Sequence, residues 1–466
     1  MNVETVIWSC SMNMEHRRAI LVLSLLAAFM VFVDATIVNL TLAQLTGQLH
    51  ATRTGLEWVV NAYTLSFAAM MLGAGALADA WGADRTLLAG LAVFTATSGL
   101  GGLADSVAVL DVARLVQGAG AALMLPSALV LATRTAENEG SRQRLVGWWA
   151  AAGGLGMASG PILGGALVAL GGWRAVFLVN VALGVPAVAY AALAIPRAAR
   201  RPRRLDTWGQ VTATLLIGGV VFALVETPAL GGMSGPVIAA WAVAVIGLIG
   251  FIAAERAAGS PLLPRAVYRD VTFVSAGLQG TLFNFAFYGL LFAMGLMLQQ
   301  GRHLDAFTSG LVFLPLTGAI PVANTCAAVL SHRLGRRTLL LIGHGLLTAS
   351  LLLIALAAST AALWPLMLAL LPAGFSSGLL VPTMTAQSLT TVARDAHGAA
   401  SAAFNTARQV GSAIGVAALG PLLGTTSLTA GFQRCLLVGA AATVVALTLA
   451  APSPIDRKAT AAPDSA

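Results

Sequence analysis

The feature that most constrains this chain is a succession of apolar runs, each about as long as a bilayer is thick and nearly free of charge. They cover about 19–40, 57–78, 86–104, 108–132, 145–170, 174–195, 208–226, 236–254, 271–298, 308–330, 337–357, 361–385, 398–423 and 432–451. A hydrocarbon core of about 30 Å is crossed by about 20 helical residues. In lipid every backbone polar group must be bonded within its own segment, so these runs are expected to be helices. Fourteen of them take up roughly 280 residues and leave no room for a sizeable soluble domain. Composition agrees: 58% of residues are hydrophobic and 9% charged, against about 25% charged in a soluble domain.

The formal net charge is +8, but the arginines that carry it sit in short connections between apolar runs, where they set topology and give no reason to expect nucleic acid. With a cytoplasmic N-terminus, the inner connections hold Arg17, Arg18, Arg85, Arg134, Arg142, Arg144, the cluster Arg197, Arg200, Arg201, Arg203 and Arg204, then Arg256, Arg265, Arg269, Arg333, Arg336, Arg337 and Arg394. The outer ones hold Arg53, Arg174 and Arg302, with Arg434 at a span edge. The positive-inside rule therefore places both termini in the cytoplasm. Cys10, Cys326 and Cys435 lie far apart with no metal-ligand spacing and are expected to be free thiols. The sole lysine is Lys458, so no nucleotide-binding glycine loop with its lysine is present. Neither a cofactor nor a metal is expected. The first fourteen residues do not read as a cleaved signal peptide, and Met12 or Met14 could be the true start.

The two halves echo each other at an offset of about 255 residues, as in transporters built from repeated bundles. Leu77-Ala78-Asp79-Ala80-Trp81-Gly82 before Arg85 resembles Leu330-Ser331-His332-Arg333-Leu334-Gly335 before Arg336. Leu125-Pro126 recurs as Val381-Pro382, and Gly160-Pro161 as Gly420-Pro421. In the fifth run Gly147, Gly156, Gly160, Pro161, Gly164 and Gly165 form a spaced glycine face. Such a face lets a neighbouring helix approach closely, either to rock against it or simply to pack.

These motifs make the resemblance specific. The chain is similar to members of the major facilitator superfamily, in the fourteen-span branch of drug:proton antiporters. Asp34-Ala35-Thr36-Ile37-Val38-Asn39 resembles the branch's Asp-x-Thr-Ile-Val-Asn signature. Arg114, Gln117, Gly118 and Gly120 resemble its Arg-x-x-Gln-Gly-x-Gly motif, and the fifth run its exporter glycine-proline motif. Trp173-Arg174 with Phe177 and Asn180, Gln299 ahead of Gly310 and Pro315, and Asn405 with Arg408-Gln409 and Gly411 also fit. One departure stands out. The loop after the second run keeps Gly75, Leu77, Asp79 and Gly82, but of its usual basic positions only Arg85 remains. A charged latch on Asp79 would be weak here, or would borrow Arg333, Arg336 or Arg337.

An ionisable residue near mid-membrane costs at least about 2.5–3.5 kcal/mol, so each needs a reason. Asp34, Arg114 and Arg408 stand out. Counted at about 1.5 Å per residue, Asp34 and Arg114 both fall about 8–9 Å from the outer edge of the core and could share a salt bridge. A pair that parts as the protein rocks would switch Asp34 between holding and releasing a proton; a static structural pair is the alternative. Arg408 falls near mid-membrane. Asn39, Gln279, Asn284, Tyr288 and Asn405, with Arg408, are candidates to line a cavity. His344 reads as a packing histidine.

The expected fold is all-α, with two six-helix bundles and two inserted helices. The divisions are a cytoplasmic segment 1–18, a first bundle 19–196, a basic linker with the inserted pair 197–270, a second bundle 271–451 and a cytoplasmic tail 452–466. The resemblance implies a bacterial cytoplasmic-membrane protein exporting small hydrophobic compounds, antibiotics or drugs by proton antiport, and a monomer is expected. A dedicated exporter of one metabolite, an importer and a non-transport scaffold are the rival readings. With one mid-span acid against two arginines, the substrate is expected to be neutral or weakly anionic.

Overall fold

The computed structural model describes residues 14–196, 206–258, 262, 265–392, 397–424 and 427–450, and among these there is no strand. The segment before Met14, the arginine-rich stretch 197–205, Arg394 and the tail from 451 lie outside the described residues, with Cys10 and Lys458. The helices of the first half are α1 (Met14–Ile37), α2 (Leu42–Gln48), α3 (Arg53–Trp81), α4 (Ala83–Gly102), α5 (Val107–Arg134) and α6 (Glu139–Ala194). Next come α7 (Thr207–Leu230), α8 (Gly235–Ala257) and the single turn α9 (Arg265–Tyr268). The second half holds α10 (Val271–Leu296), α11 (Ala306–Val312), α12 (Leu314–Leu334), α13 (Arg336–Ala357), α14 (Trp364–Leu389), α15 (His397–Leu419) and α16 (Leu428–Ala450).

Eleven of these stretches are long and apolar enough to cross a membrane. One of the eleven is α6, which covers two of the expected runs. It is broken at Gly171 and at Gly172, whose φ is +70°. That backbone is one only glycine adopts readily, so the helix changes direction there. The helices α4 and α15 are not among the eleven. Helix α15 is rich in small and polar residues, His397-Gly-Ala-Ala-Ser-Ala-Ala-Phe-Asn405, and packs along α10 and α3.

The repeat read from the sequence reappears in the backbone. Gly82 (φ +102°) joins α3 to α4, and its echo Gly335 (φ +77°) joins α12 to α13. His50 (φ +52°) and His303 (φ +54°), non-glycine residues in the left-handed region, occupy the matching turns ahead of α3 and α11, and the same number of residues separates each pair. Helix packing repeats too. A Cβ on Gly156 would lie 2.6 Å from Phe29 O of α1 and one on Gly164 2.8 Å from Ile37 O. In the second half a Cβ on Gly411 or Gly415 of α15 would strike the backbone of Thr281 or Phe285 of α10. In lipid there is little hydrophobic drive between helices, so backbone approach over small residues supplies the dispersion contact that holds each bundle.

Two apolar cores report where the halves meet. One fills the second half and takes in Val38, Leu40, Leu42, Leu56, Val59, Trp173 and Phe177 of the first. The other belongs to the first half alone and includes Ile20, Leu23, Phe67, Phe94, Leu131 and Ala191. The halves are thus fused at the end bearing Val38 and have separate cores at the end bearing Ile20. Backbone approaches seal the fused end: a Cβ on Gly310 would lie 2.7 Å from Pro161 O, and one on Gly295 2.9 Å from Asn39 O.

Helix α7 lies over the line where α3 meets α15. Ile217, Val221 and Val225 pack with Leu65, Ala69, Ala413 and Ala417, Trp58 Nε1 donates to Glu226 Oε1 at 2.7 Å, and Gln210 Nε2 donates to Ala69 O at 2.6 Å. Helix α8 packs on α7 and exposes Trp241, Val245, Ile246 and Ile249, apolar surface suited to lipid.

Candidate functional site

Asp34 sits in the last turn of α1, buried at 1% exposure, with Arg114 of α5 equally buried. Arg114 Nη1 donates to Asp34 Oδ2 at 2.5 Å and to Gln117 Oε1 at 2.9 Å, while its Nε donates to Val59 O of α3 at 3.1 Å. Asp34 Oδ1 accepts from Gln117 Nε2 at 3.0 Å and from Asn180 Nδ2 at 2.8 Å. Gln117 Nε2 also reaches Ser98 Oγ of α4 at 2.6 Å. The guanidinium lies 4.3 Å from the centroid of Tyr63, whose hydroxyl donates to Val31 O. One carboxylate therefore gathers groups from α1, α3, α4, α5 and the second arm of α6.

The local sequence explains this convergence. Arg114 and Gln117, three apart, project from one face of α5. The glycines that follow clear the way for neighbouring backbones: a Cβ on Gly118 would collide with Tyr63 O and Ser66 Oγ, and one on Gly120 would lie 2.8 Å from Phe94 N. The motif thus joins two polar groups to two places where α3 and α4 must come close. A buried pair is tolerated when its remaining hydrogen-bonding capacity is met, and both Asp34 oxygens are met here. Asn180→Leu removes one donor and leaves Oδ1 with Gln117 alone. A hydrogen bond to a charged group contributes about 1.5–3 kcal/mol, so a lower melting temperature and about tenfold slower transport are expected from thermal unfolding and vesicle flux.

The second half presents a different arrangement. Arg408 of α15 is buried, its Nε donating to Asn284 Oδ1 of α10 at 3.4 Å, and Asn284 Nδ2 donates to Ser412 Oγ at 2.9 Å. Phe404 lies under the guanidinium at 5.9 Å. Tyr288, one turn beyond Asn284, is within electrostatic reach of both Arg408 and Tyr63, one residue from each half.

Not every expected residue lies there. Gln279 does not line a cavity: it is fully buried inside the second bundle, its Nε2 donating to Ser275 Oγ at 3.0 Å and its Oε1 3.3 Å from His344 Nε2 of α13. The reason is phase, since five residues before Asn284 lies about 140° around the helix. Asn405 bonds back to Ser401 O of its own helix, and Asn39 to Thr36 O beside the seal. Gly147 and Gly75 have open space where a Cβ would go, so neither belongs to a close helix contact. Gly156, Gly160 and Gly164 face α1, whereas Gly165 and Pro161 face α11. Asp79 is exposed at the end of α3, and Arg85 Nη1 donates back to Trp81 O at 3.3 Å. Arg336 donates to Thr390 Oγ1.

Sequence reasoning missed Tyr63, Ser98 and the role of Asn180 around Asp34; a polar residue inside an apolar run was the only signal. Glu57 is buried against Gly420 at the fused end with Arg53 nearby, and one turn on lies Asn61, which the sequence did not single out and whose amide has no partner among the described residues. Glu57 lies in the seam and Glu226 is held by Trp58, so neither carboxylate joins Asp34 and Arg408. Two cavities among the described residues, of about 230 and 370 Å³, lie elsewhere, beside Arg17 and Trp148 and beside Gln44 and Leu304.

Comparison with known proteins adds to this geometry. The model of the Major Facilitator Superfamily matches residues 24–416. The chain is 36% identical over 398 residues to the methylenomycin A resistance protein of Streptomyces coelicolor, covering 85% of this chain and 84% of the relative. It is 32% identical over 400 residues to the multidrug resistance protein Stp of Mycobacterium tuberculosis, covering 85% and 74%. A solved POT family transporter in complex with 5-aminolevulinic acid shares the fold, with a TM-score of 0.70 at 14% identity over 93% of this chain and 96% of that one.

Proposed function

We propose, on the premise that this chain belongs to the Major Facilitator Superfamily, that it exports small hydrophobic antibiotics or related compounds from a bacterial cell in exchange for protons. The observation that carries this reading is the Asp34 cluster, one buried carboxylate held by three donors from two other helices, α5 and α6. The names of the relatives, a resistance protein for one antibiotic and a multidrug resistance protein, support efflux. They leave both a dedicated and a broad exporter in view.

On this reading the chain crosses the cytoplasmic membrane fourteen times as a monomer, with α6 supplying two crossings, α4 and α15 one each, and both termini inside. The end that bears Val38 then faces outward, and the structure corresponds to a state closed to the outside. Paired with Arg114, the Asp34 carboxylate ties α1 to α5 and α6. A proton arriving from outside removes the charge that Arg114 answers, which loosens the joint and lets the bundles rock. Release of that proton to the cytoplasm restores the bridge. Substrate moves outward in the complementary half of the cycle, by alternating access around a site near the midplane. One proton driven by about 150 mV supplies roughly 3.5 kcal/mol, enough for a concentration ratio of a few hundred. Asp34 is answered by Arg114, Arg408 adds a positive charge, and Glu57 sits apart from both at the fused end, a balance that favours neutral or weakly anionic substrates. The inserted α7 and α8 lie outside this path and brace α3 against α15.

Transport in inside-out vesicles is the test. Substrates from a compound panel should accumulate on imposing an inward-acid gradient and leak out on collapsing it, and accumulation indifferent to the gradient would remove proton coupling. Topology has its own check: cysteines placed at Gly232 and Ser359 should be labelled from outside intact cells and one at Arg201 should not. Labelling at Arg201 would overturn the fourteen-crossing arrangement.

A further inference from the structure

Arg408 is a buried cation that no acid among the described residues answers. Arg17–Glu137 and Arg114–Asp34 form ion pairs among the described residues, and Arg408 takes part in neither. Its one hydrogen bond, from Nε to Asn284 Oδ1, is long at 3.4 Å and goes to a neutral amide. Its Nη1 and Nη2 groups have no partner among the described residues. Unlike the unpartnered atoms of Asn61 and His344, they are not cut off from accessible space. The contrast with Arg114 is sharp, since that guanidinium has a carboxylate, an amide oxygen and a backbone carbonyl.

We propose that Arg408 is the anion subsite of the transport path, taking the carboxylate of a monoanionic organic acid on its free Nη groups. This rests on the export reading above and adds a substrate class to it. A guanidinium presents parallel N–H groups that match a carboxylate, so one acid group satisfies what the protein leaves unmet. Asn284 fixes the Nε edge and is itself fixed by Ser412, which leaves the Nη edge turned away from that anchor. Phe404 lies under the group and offers aromatic surface for the apolar body of the acid, and Tyr288 of α10 is within electrostatic reach of the guanidinium. Tyr288 is also within electrostatic reach of Tyr63, which lies against Arg114. Substrate charge and coupling proton are therefore held on opposite bundles across one seam. Exchange of a monoanion for one proton moves two positive charges inward per cycle, so export should be electrogenic.

The experiment uses the full chain, purified and reconstituted in phosphatidylcholine nanodiscs, with benzoate, 2-naphthoate and indole-3-acetate, each paired with its methyl ester. Binding is read by tryptophan fluorescence and by melting temperature. At least one acid should bind about tenfold or more tightly than its ester, the size of effect expected from a hydrogen-bonded charge. Arg408→Gln should abolish that preference, and Arg408→Lys, which keeps the charge, should retain part of it. If Arg408→Gln does not fold, the wild-type acid-to-ester ratio and the lysine variant carry the test. Equal binding of acid and ester, no binding of any acid, or a preference that survives Arg408→Gln would overturn the inference. Loss of acid binding on adding phosphatidylglycerol would overturn it as well, by assigning the subsite to lipid headgroups. Proton-coupled efflux of neutral compounds without acid preference would sink this inference alone. Acid preference without coupling would sink the export mechanism alone.

Discussion

Asp34→Asn should abolish proton-driven efflux while leaving the chain inserted and folded. The substitution keeps the shape of the side chain but removes the group that binds the proton. Asp34 accepts from Arg114 through one oxygen and from Gln117 and Asn180 through the other. An amide has only one accepting oxygen, so one side of that arrangement must turn donor against donor. Arg114 still has Val59 O, Gln117 Oε1 and the Tyr63 face, which keeps it from being stranded. Losing hydrogen bonds to a charged group costs about 1.5–3 kcal/mol; a melting temperature a few degrees lower is expected from a protein of normal abundance. The deciding measurement is accumulation in inside-out vesicles under an imposed pH gradient. Concentrative uptake by this variant would remove Asp34 from the coupling step and make its bridge to Arg114 a structural joint only.

A comparable loss is expected from Gly160→Leu, for a reason of packing. Even a Cβ at Gly160 would collide with Thr36 Oγ1 and lie 3.2 Å from Ile37 N, and leucine adds three more carbons. Thr36 is two residues from Asp34, and its hydroxyl also reaches Met157 O at 3.3 Å. Overpacking of this kind costs about 1–3 kcal/mol, too little to stop insertion of helices this apolar. It would displace the last turn of α1, and a shift of about 1 Å at a reacting group can cost about 100-fold in rate. Surface labelling should show normal insertion, and flux should fall by about that factor. Gly147→Leu makes the control, since its Cβ position is open and flux should hardly change. Full transport by Gly160→Leu would mean the contact with α1 need not stay close during the cycle.

What could be read in the sequence followed from one constraint. A bilayer forces each long apolar run to satisfy its own backbone, so the all-helical membrane class was fixed residue by residue. The internal repeat was legible because Gly82 and Gly335 are needed for the same positive-φ turn. The pairing of Asp34 with Arg114 was suggested by their shared depth, a one-dimensional quantity that counting along a helix supplies. Lateral arrangement is not one-dimensional, and there only the tertiary structure decided. It turned Gln279 inward to His344 and Asn284 toward Arg408, although they are five residues apart on one helix. It gave Asp34 its further partner Asn180 from a helix far along the chain. It also left Arg408 without an acid among the described residues and joined the apolar cores at one end only. Each of these depends on how helices are rotated and placed against one another. In lipid that choice rests on close contacts between small residues from distant parts of the chain, and hydropathy, which records how deep a residue lies, carries no information about which neighbour it meets.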